Sequence, residues 1–146
     1  MEDAFGHLRY LGLYFVGGFV AAMTQALITP VAGTHADAMV PMLGASGPIA
    51  AVLGAYFVLF PQSRVLTLVI VFAVWIPAWV FLGLWFLYQL VEANFGLFSA
   101  TANGGGVAFF AHVGGFLFGV LAASLLTAGG KAEAREGDAV ALGAAP

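Results

Sequence analysis

A serine and a histidine in this sequence have the chemistry and the surroundings that nucleophilic catalysis requires. Ser46 lies in the stretch GASG that begins at Gly44, and His112 lies in the stretch AHVGG that begins at Ala111. A serine hydroxyl is a weak nucleophile at neutral pH, and a neighbouring imidazole can take its proton as it attacks a carbonyl carbon. The imidazole can then return that proton to the leaving amine. The pair predicts peptide-bond hydrolysis if the fold brings both residues together.

The predicted position of Ser46 at the start of a helix adds a second feature. The free amides of a first helical turn, together with the positive end of the helix dipole, can stabilise a developing oxyanion. Gly44 and Gly47 on either side allow a substrate backbone to approach closely. Taken singly, a serine between glycines is usually a small packing residue in a membrane helix, and a membrane histidine often bonds to a neighbouring helix. Gly115 and Gly119 form a GxxxG pattern, which lets another helix backbone come close.

The composition indicates that these residues belong to a membrane protein. Of the 146 residues, 62% are hydrophobic and 8% are charged, whereas soluble domains average roughly 45–50% and about 25%. A soluble domain of this size has too much surface to hide so many apolar residues. This excludes an ordinary soluble domain, a disordered protein and a nucleic-acid-binding protein. The absence of cysteine excludes disulfides, thiolate metal sites and a cysteine nucleophile.

Four apolar stretches are long enough to cross a bilayer, which takes about 20 helical residues. They are residues 8–28, 42–60, 75–91 and 107–127. Pro77 interrupts the third run, because proline lacks an amide donor and disfavours helix in the residue before it. Residues 65–74 are therefore predicted to be a connecting or interfacial segment. The sequence predicts an all-α polytopic membrane protein, with a transmembrane domain over residues 1–127 and a disordered polar tail over residues 128–146.

The basic residues predict the orientation of these spans. Arg9 precedes the first span, Arg64 lies between the second and third, and Lys131 and Arg135 follow the fourth. Because lysine and arginine are enriched in cytoplasmic flanks, both termini are predicted to be cytoplasmic. The second and fourth spans then run in the same direction, which places the candidate serine and histidine at similar depth near the outer face. An Ala- and Gly-rich chain without an organelle-type presequence favours the bacterial inner membrane.

Together, the two stretches and Gly119 resemble the GxSG and AHxxG motifs of the rhomboid family of intramembrane serine proteases. Further similarity to the family lies in EDAFGHLRY at residues 2–10, LGAY at residues 53–56, and the segments at residues 77–79 and 83–86. The resemblance extends over residues 2–126, which is nearly all of the chain that is predicted to be ordered.

The resemblance implies that Ser46 is the nucleophile and His112 the general base of a catalytic dyad without an acidic third member. The backbone amides of Ala45 and Ser46 would contribute to the oxyanion hole. The third span, which contains Trp85, would flank the lateral route of a substrate helix, although membrane tryptophans also serve as interfacial anchors. The expected substrates are membrane proteins, cleaved in or near their transmembrane segments within the lipid bilayer. No metal or organic cofactor is expected.

The chain also departs from the family pattern. The family core has six helices, and the first two have no counterpart here. The second of these carries a His and an Asn that bind the oxyanion, and neither His7, His35, Asn94 nor Asn103 stands in a matching context. Some members stack a tyrosine on the histidine, from a position that is Ala50 here.

These departures lead to an expectation about activity. Losing one oxyanion donor lowers the rate by about 10²–10³. The 146-residue chain alone is therefore expected to be inactive, as a fragment, the product of an alternative start, or a gene read from too late a start codon. The longer gene product is expected to be a protease.

Two other functions stay open at this point. A non-catalytic rhomboid-like protein would hold transmembrane clients without cutting them, and the missing oxyanion residues favour it, whereas the retained Ser46 and His112 argue against it. A small channel or transporter needs ionisable residues along a path, and the spans contain no such cluster. The three histidines lie in separate segments without ligand spacing, so no metal site is predicted.

Overall fold

A computed structural model describes residues 1–32, 44–69, 72–98 and 108–128 of the chain. Within these ranges the chain is mostly helical, with one two-stranded antiparallel sheet between the third and fourth helices. The elements are α1 (Glu2–Phe5), α2 (His7–Ala32), α3 (Ser46–Leu59), β1 (Arg64–Val69), β2 (Phe72–Pro77), α4 (Ala78–Phe98) and α5 (Phe109–Ala128).

Two helices are long and apolar enough to cross a membrane, judged by length and composition. They are α2, with 26 residues, and α5, with 20 residues. At a rise of about 1.5 Å per residue these helices are about 39 and 30 Å long, and the hydrocarbon core of a bilayer is about 30 Å thick. The helix α3 and the Ala78–Ala93 part of α4 are apolar and shorter.

The helices lie where the sequence predicts them, with shifted ends. The first predicted span extends to Ala32, and the fourth begins at Phe109 and ends at Ala128. Residues 42–43 of the second span, residue 107 of the fourth, and residues 129–146 of the predicted tail lie outside the described residues.

The segment before α4 corrects the all-α expectation. Residues 65–74 were expected only to connect two spans, whereas β1 and β2 form an antiparallel hairpin, with Arg64 opposite Pro77 and Val69 opposite Phe72. The strands are rich in β-branched residues, which favour extended backbone. These residues are Val65, Thr67, Val69, Val74 and Ile76.

The hairpin also moves the start of the third predicted span. Pro77 biases Ile76 toward extended backbone and has no amide to donate to a helix. The helix α4 therefore begins at Ala78, not at residue 75, and it continues to Phe98 rather than ending at residue 91. The backbone amide of Ala78 donates to the carbonyl oxygen of Ser63 at 2.7 Å, which ties the start of α4 to the residue just before β1.

Glycines bring α3 and α5 into backbone contact. A methyl group added at Gly119 would lie 2.7 Å from the carbonyl carbon of Ala51 and 2.9 Å from the amide nitrogen of Ala55. One added at Gly54 would lie 2.9 Å from the carbonyl carbon of Phe116. Only a hydrogen fits at these positions, as expected where small residues let membrane helices approach closely.

The contacts also give the direction of the helices. Gly47 of α3 lies opposite Gly115 of α5, and Ala51 lies opposite Gly119, so the two helices run parallel and begin at the same end of the bundle. Ala21 of α2 is 1% exposed and packs against both Gly47 and Gly115. The helices α2, α3 and α5 therefore meet beside Gly47 and Gly115, close in sequence to Ser46 and His112.

Candidate active site

Ser46 is the first residue of α3, at the exposed end of that helix. Gly44 has φ of +116°, a backbone conformation that residues with a side chain rarely adopt, and it turns the chain into the helix. The carbonyl oxygen of Ala45 accepts the first helical hydrogen bond, from the amide of Ile49 at 3.1 Å. The Ser46 hydroxyl therefore stands at the positive end of the helix dipole, where anions are stabilised.

The first turn of α3 offers few but well-placed donors. Amides in the first turn of a helix have no partner within it, and Pro48 has no amide at all. The amide of Ser46, and that of Ala45 just before it, are backbone donors next to the serine hydroxyl in the chain. An oxyanion formed by attack of that hydroxyl on a carbonyl carbon would develop beside them.

His112 lies in the first turns of α5, one helical turn before Gly115. Because Gly115 packs against Gly47, the histidine and Ser46 occupy the same end of two parallel helices in contact. Both residues are described, and no hydrogen bond joins the Ser46 hydroxyl to the imidazole in this structure. Hydrogen bonds of catalytic groups are often long without substrate and shorten only when it binds.

The imidazole of His112 is fixed by α4. Its Nδ1 lies 2.8 Å from Oε1 of Gln89, whose side chain is buried. A carbonyl oxygen can only accept, so this contact favours the neutral ring with the proton on Nδ1 and the lone pair on Nε2. The Trp85 ring lies with its centroid 5.9 Å from the imidazole at 38°, and Phe109 stands edge-on at 6.5 Å.

Some family members stack a tyrosine on the histidine from the position of Ala50, which lies on α3 in this chain. Here the ring beside His112 comes from α4. Ala50 is fully buried, and its Cβ lies 3.3 Å from where a Cβ would stand on Gly115. There is thus no room for an aromatic side chain between α3 and α5 at this level. Trp85, from α4, supplies the ring that faces the histidine.

A second glutamine holds the start of α5. Gln25 of α2 accepts a hydrogen bond from the backbone amide of Ala111 at 3.1 Å and donates through Nε2 to the Thr29 hydroxyl at 3.0 Å. The same amide also donates to the Ala108 carbonyl oxygen at 3.0 Å, so it is shared between the turn that begins α5 and the Gln25 side chain. Gln25 therefore fixes the backbone of the residue next to His112.

Gln25 and Gln89 are the site residues that the motifs did not reveal. Both are amides inside apolar helices, where a polar group is costly and hence a functional candidate. Their presence within the apolar stretches was a usable signal. Their partners could not be read from the motifs, because these depend on which helix faces contact each other.

The other candidate polar residues lie elsewhere or outside the described residues. His7 is exposed and its Nδ1 contacts the carboxylate of Glu2. His35 and Asn103 lie outside the described residues, and Asn94 lies within α4. Within the described ranges, no group of three or more His, Asp or Glu side chains is placed to hold a metal ion.

The two long apolar helices have the length and composition that a helical membrane protein requires. The family model of the Rhomboid domain matches residues 1–129, and the chain belongs to the rhomboid family. Members of this family are generally serine proteases that act on transmembrane substrates within the bilayer. Comparison with curated proteins and with solved structures returned no match. The membership confirms the resemblance drawn from the GASG and AHVGG stretches.

Proposed function

We propose that this chain is itself an intramembrane serine endopeptidase, with Ser46 as the nucleophile and His112 as the general base, in contrast to the inactivity expected above from the missing oxyanion residues. One observation carries the proposal. Nδ1 of His112 lies 2.8 Å from Oε1 of Gln89, and a neutral ring that donates to this oxygen has its Nε2 lone pair available to a hydroxyl. The histidine also lies at the end of α5 that packs beside the start of α3, where Ser46 is located.

The proposed reaction has two steps. The Ser46 oxygen attacks the carbonyl carbon of the scissile peptide bond while its proton moves to Nε2 of His112. The C–N bond then breaks as that proton passes to the amine nitrogen, which leaves an acyl-enzyme ester on Ser46. A water molecule attacks the ester, again with His112 as base, and releases the acid product and the free serine.

The oxyanion of each step is stabilised by backbone donors. We assign this role to the amides of Ala45 and Ser46, at the positive end of α3. Gly44 and Gly47 leave space around them for a substrate backbone. The reaction needs neither a metal nor an organic cofactor, because proton transfer and charge stabilisation are both supplied by these groups.

We also propose how the chain is arranged in the membrane. The four helices α2, α3, α4 and α5 are assigned as spans of a multi-pass protein in the bacterial inner membrane, with both termini cytoplasmic. The rhomboid-like domain covers residues 1–127, and residues 128–146 form a polar tail. Substrates are membrane proteins that are cleaved in or near a transmembrane segment.

A second candidate function is that of a non-catalytic rhomboid-like protein that binds transmembrane clients. In the described part of the chain, Ser46 and His112 are not hydrogen-bonded to each other, and this favours the second function. The sequence also lacks a match for the His and Asn that bind the oxyanion in the family. Under this function, substitution of Ser46 or His112 leaves the capture of a client helix unchanged.

Labelling with a fluorophosphonate serine-hydrolase probe distinguishes the two functions. The 146-residue chain is expressed in membranes as wild type, Ser46→Ala and His112→Ala. Two matched controls are Ser124→Ala, whose hydroxyl bonds to the Val120 carbonyl of its own helix, and His7→Ala, which is exposed. Labelling that is lost in the first two variants and kept in the two controls supports the protease. A wild-type chain that is inserted and folded but unlabelled supports the binding protein.

A further inference from the structure

The buried side-chain amide of Gln89 faces the imidazole of His112 at Nδ1 and not at Nε2. Gln89 is 4% exposed, and its Oε1 lies 2.8 Å from Nδ1 of His112. Trp85 lies four residues earlier on α4, hence on the same helix face, and its ring contacts the same imidazole. One face of α4 therefore presents a hydrogen-bond acceptor and a ring to a single side chain of α5.

The contact has a definite chemical consequence. A neutral imidazole carries its proton on Nδ1 or on Nε2, and the hydrogen bond that one nitrogen makes decides which form is present. Free imidazole side chains in water favour the Nε2–H form, which has no lone pair to offer at Nε2. An acceptor at Nδ1 reverses this preference. The amide carries no net charge, so it does this without placing a charge beside the bilayer core.

We propose that Gln89 is a positioning residue that fixes the Nδ1–H tautomer of His112 and thereby presents the Nε2 lone pair to the Ser46 hydroxyl. The functional part of this inference rests on the proposed roles of Ser46 and His112. The tautomer part does not, since it depends only on the contact between Gln89 and His112. The two parts can therefore be measured separately.

The first measurement is the tautomer of His112 in the 146-residue chain. Histidine labelled with ¹⁵N is incorporated, and the His112 signals are assigned by comparison with His112→Ala. The Nδ1–H form gives a pyrrole-type shift at Nδ1 and a pyridine-type shift at Nε2, and the other tautomer gives the reverse. We expect the Nδ1–H pattern in the wild type at a pH where the ring is neutral.

Three variants then test the role of the amide. Gln89→Met has a similar length but no strong acceptor, whereas Gln89→Glu keeps a carbonyl oxygen at the same distance along the side chain. Gln25→Met is the matched control, because Gln25 bonds to the backbone of Ala111 and not to the imidazole. We expect Gln89→Met to shift His112 toward Nε2–H, and Gln89→Glu and Gln25→Met to keep Nδ1–H.

Fluorophosphonate labelling gives the second readout. Gln89→Met should lower the rate about 2- to 10-fold, which corresponds to the loss of one ordinary neutral hydrogen bond. Gln89→Glu should restore the rate to within a few-fold of the wild type. A purely structural role for Gln89 would lower the melting temperature of Gln89→Met while leaving the His112 tautomer unchanged.

The outcomes separate the two proposals. An Nε2–H pattern in the wild type overturns the inference without reference to any variant, as does a Gln89→Met chain that keeps Nδ1–H. An Nδ1–H wild type that changes only in Gln89→Met supports it. If that wild type is not labelled by the probe, the tautomer assignment is supported and the protease proposal is overturned.

Discussion

Replacement of Gly119 by alanine tests how closely α3 and α5 pack. The added methyl group would lie 2.7 Å from the carbonyl carbon of Ala51 and 2.9 Å from the amide nitrogen of Ala55. Ordinary contact between heavy atoms begins at about 3.5–4.0 Å, so the helices must separate by about 1 Å. No side chain can move aside to absorb this change, because both obstructing atoms belong to the backbone of α3.

The expected magnitude follows from two opposing terms. Overpacking of a core costs about 1–3 kcal/mol, and the rigid obstacle here places Gly119→Ala near the upper end. Replacing glycine by alanine inside a helix returns about 0.8–1.0 kcal/mol. The net loss is about 2 kcal/mol, which lowers the melting temperature by about 4–8 °C. A displacement of about 1 Å between catalytic groups can lower the rate by about 100-fold.

The assay compares two variants that differ only in their surroundings. Gly119→Ala and Gly12→Ala are purified in detergent, and their thermal unfolding and fluorophosphonate labelling are measured against the wild type. A methyl group at Gly12 meets nothing within 4 Å, so that variant should be as stable as the wild type or slightly more stable. Equal melting temperatures for the two variants, with wild-type labelling in both, would refute backbone contact at Gly119.

Three further substitutions probe the surroundings of the site. Trp85→Leu removes the ring beside His112, and a loss of about 0.5–1.5 kcal/mol of pairing energy should lower the labelling rate about 2- to 10-fold. Gln25→Leu removes one of the two acceptors of the Ala111 amide and leaves the Ala108 carbonyl oxygen at 3.0 Å, so thermal unfolding in detergent should show a loss of about 0.5–1.5 kcal/mol. Phe116→Ala empties a position that is 4% exposed, and the same measurement should show about 3–5 kcal/mol.

Each of these variants has a control of the same kind. Trp79→Leu changes a half-exposed tryptophan, and a loss of labelling equal to that of Trp85→Leu would contradict a specific role of the Trp85 ring. Ser124→Ala removes an exposed hydrogen bond and should leave the melting temperature unchanged. Phe19 is 65% exposed, and a Phe19→Ala chain as unstable as Phe116→Ala would argue against the buried packing described here.

The long helices, and the location of Ser46 and His112 at the same end of two parallel helices, were predictable from the sequence. The lengths of the apolar stretches predict α2 and α5, because a bilayer demands about 20 helical residues. The hairpin of β1 and β2 was not predicted, since it lies in an apolar run that also suits a membrane helix. Its β-branched residues and Pro77 were the signals that favour strands there.

The partners of the candidate catalytic residues were less accessible to sequence reasoning. The motifs predict the positions of Ser46 and His112 at the starts of two parallel helices. They do not predict that Gln89 faces His112, because apolar residues are spread over all faces of α4. Such a helix has no amphipathic stripe from which a buried face can be derived. The contact emerges only from the packing of α4 against α5.

The hairpin of β1 and β2 provides a reference point for the depth of the candidate active site in the membrane. Among the described residues its two strands pair only with each other, so their outer edges present backbone N–H and C=O groups. Such edges are not stable in hydrocarbon, where each unpaired group costs several kcal/mol. We therefore expect the hairpin to lie among the lipid headgroups, with its exposed apolar side chains directed toward the acyl chains.

The length of α3 then gives the depth of Ser46 below the opposite membrane surface. This helix has 14 residues and spans about 21 Å from the hairpin end to Ser46. In a hydrocarbon layer about 30 Å thick, the serine then lies about 10 Å below the opposite surface. Water then has to cross only part of the outer leaflet to reach Ser46. A peptide bond at that depth belongs to the end of a transmembrane segment.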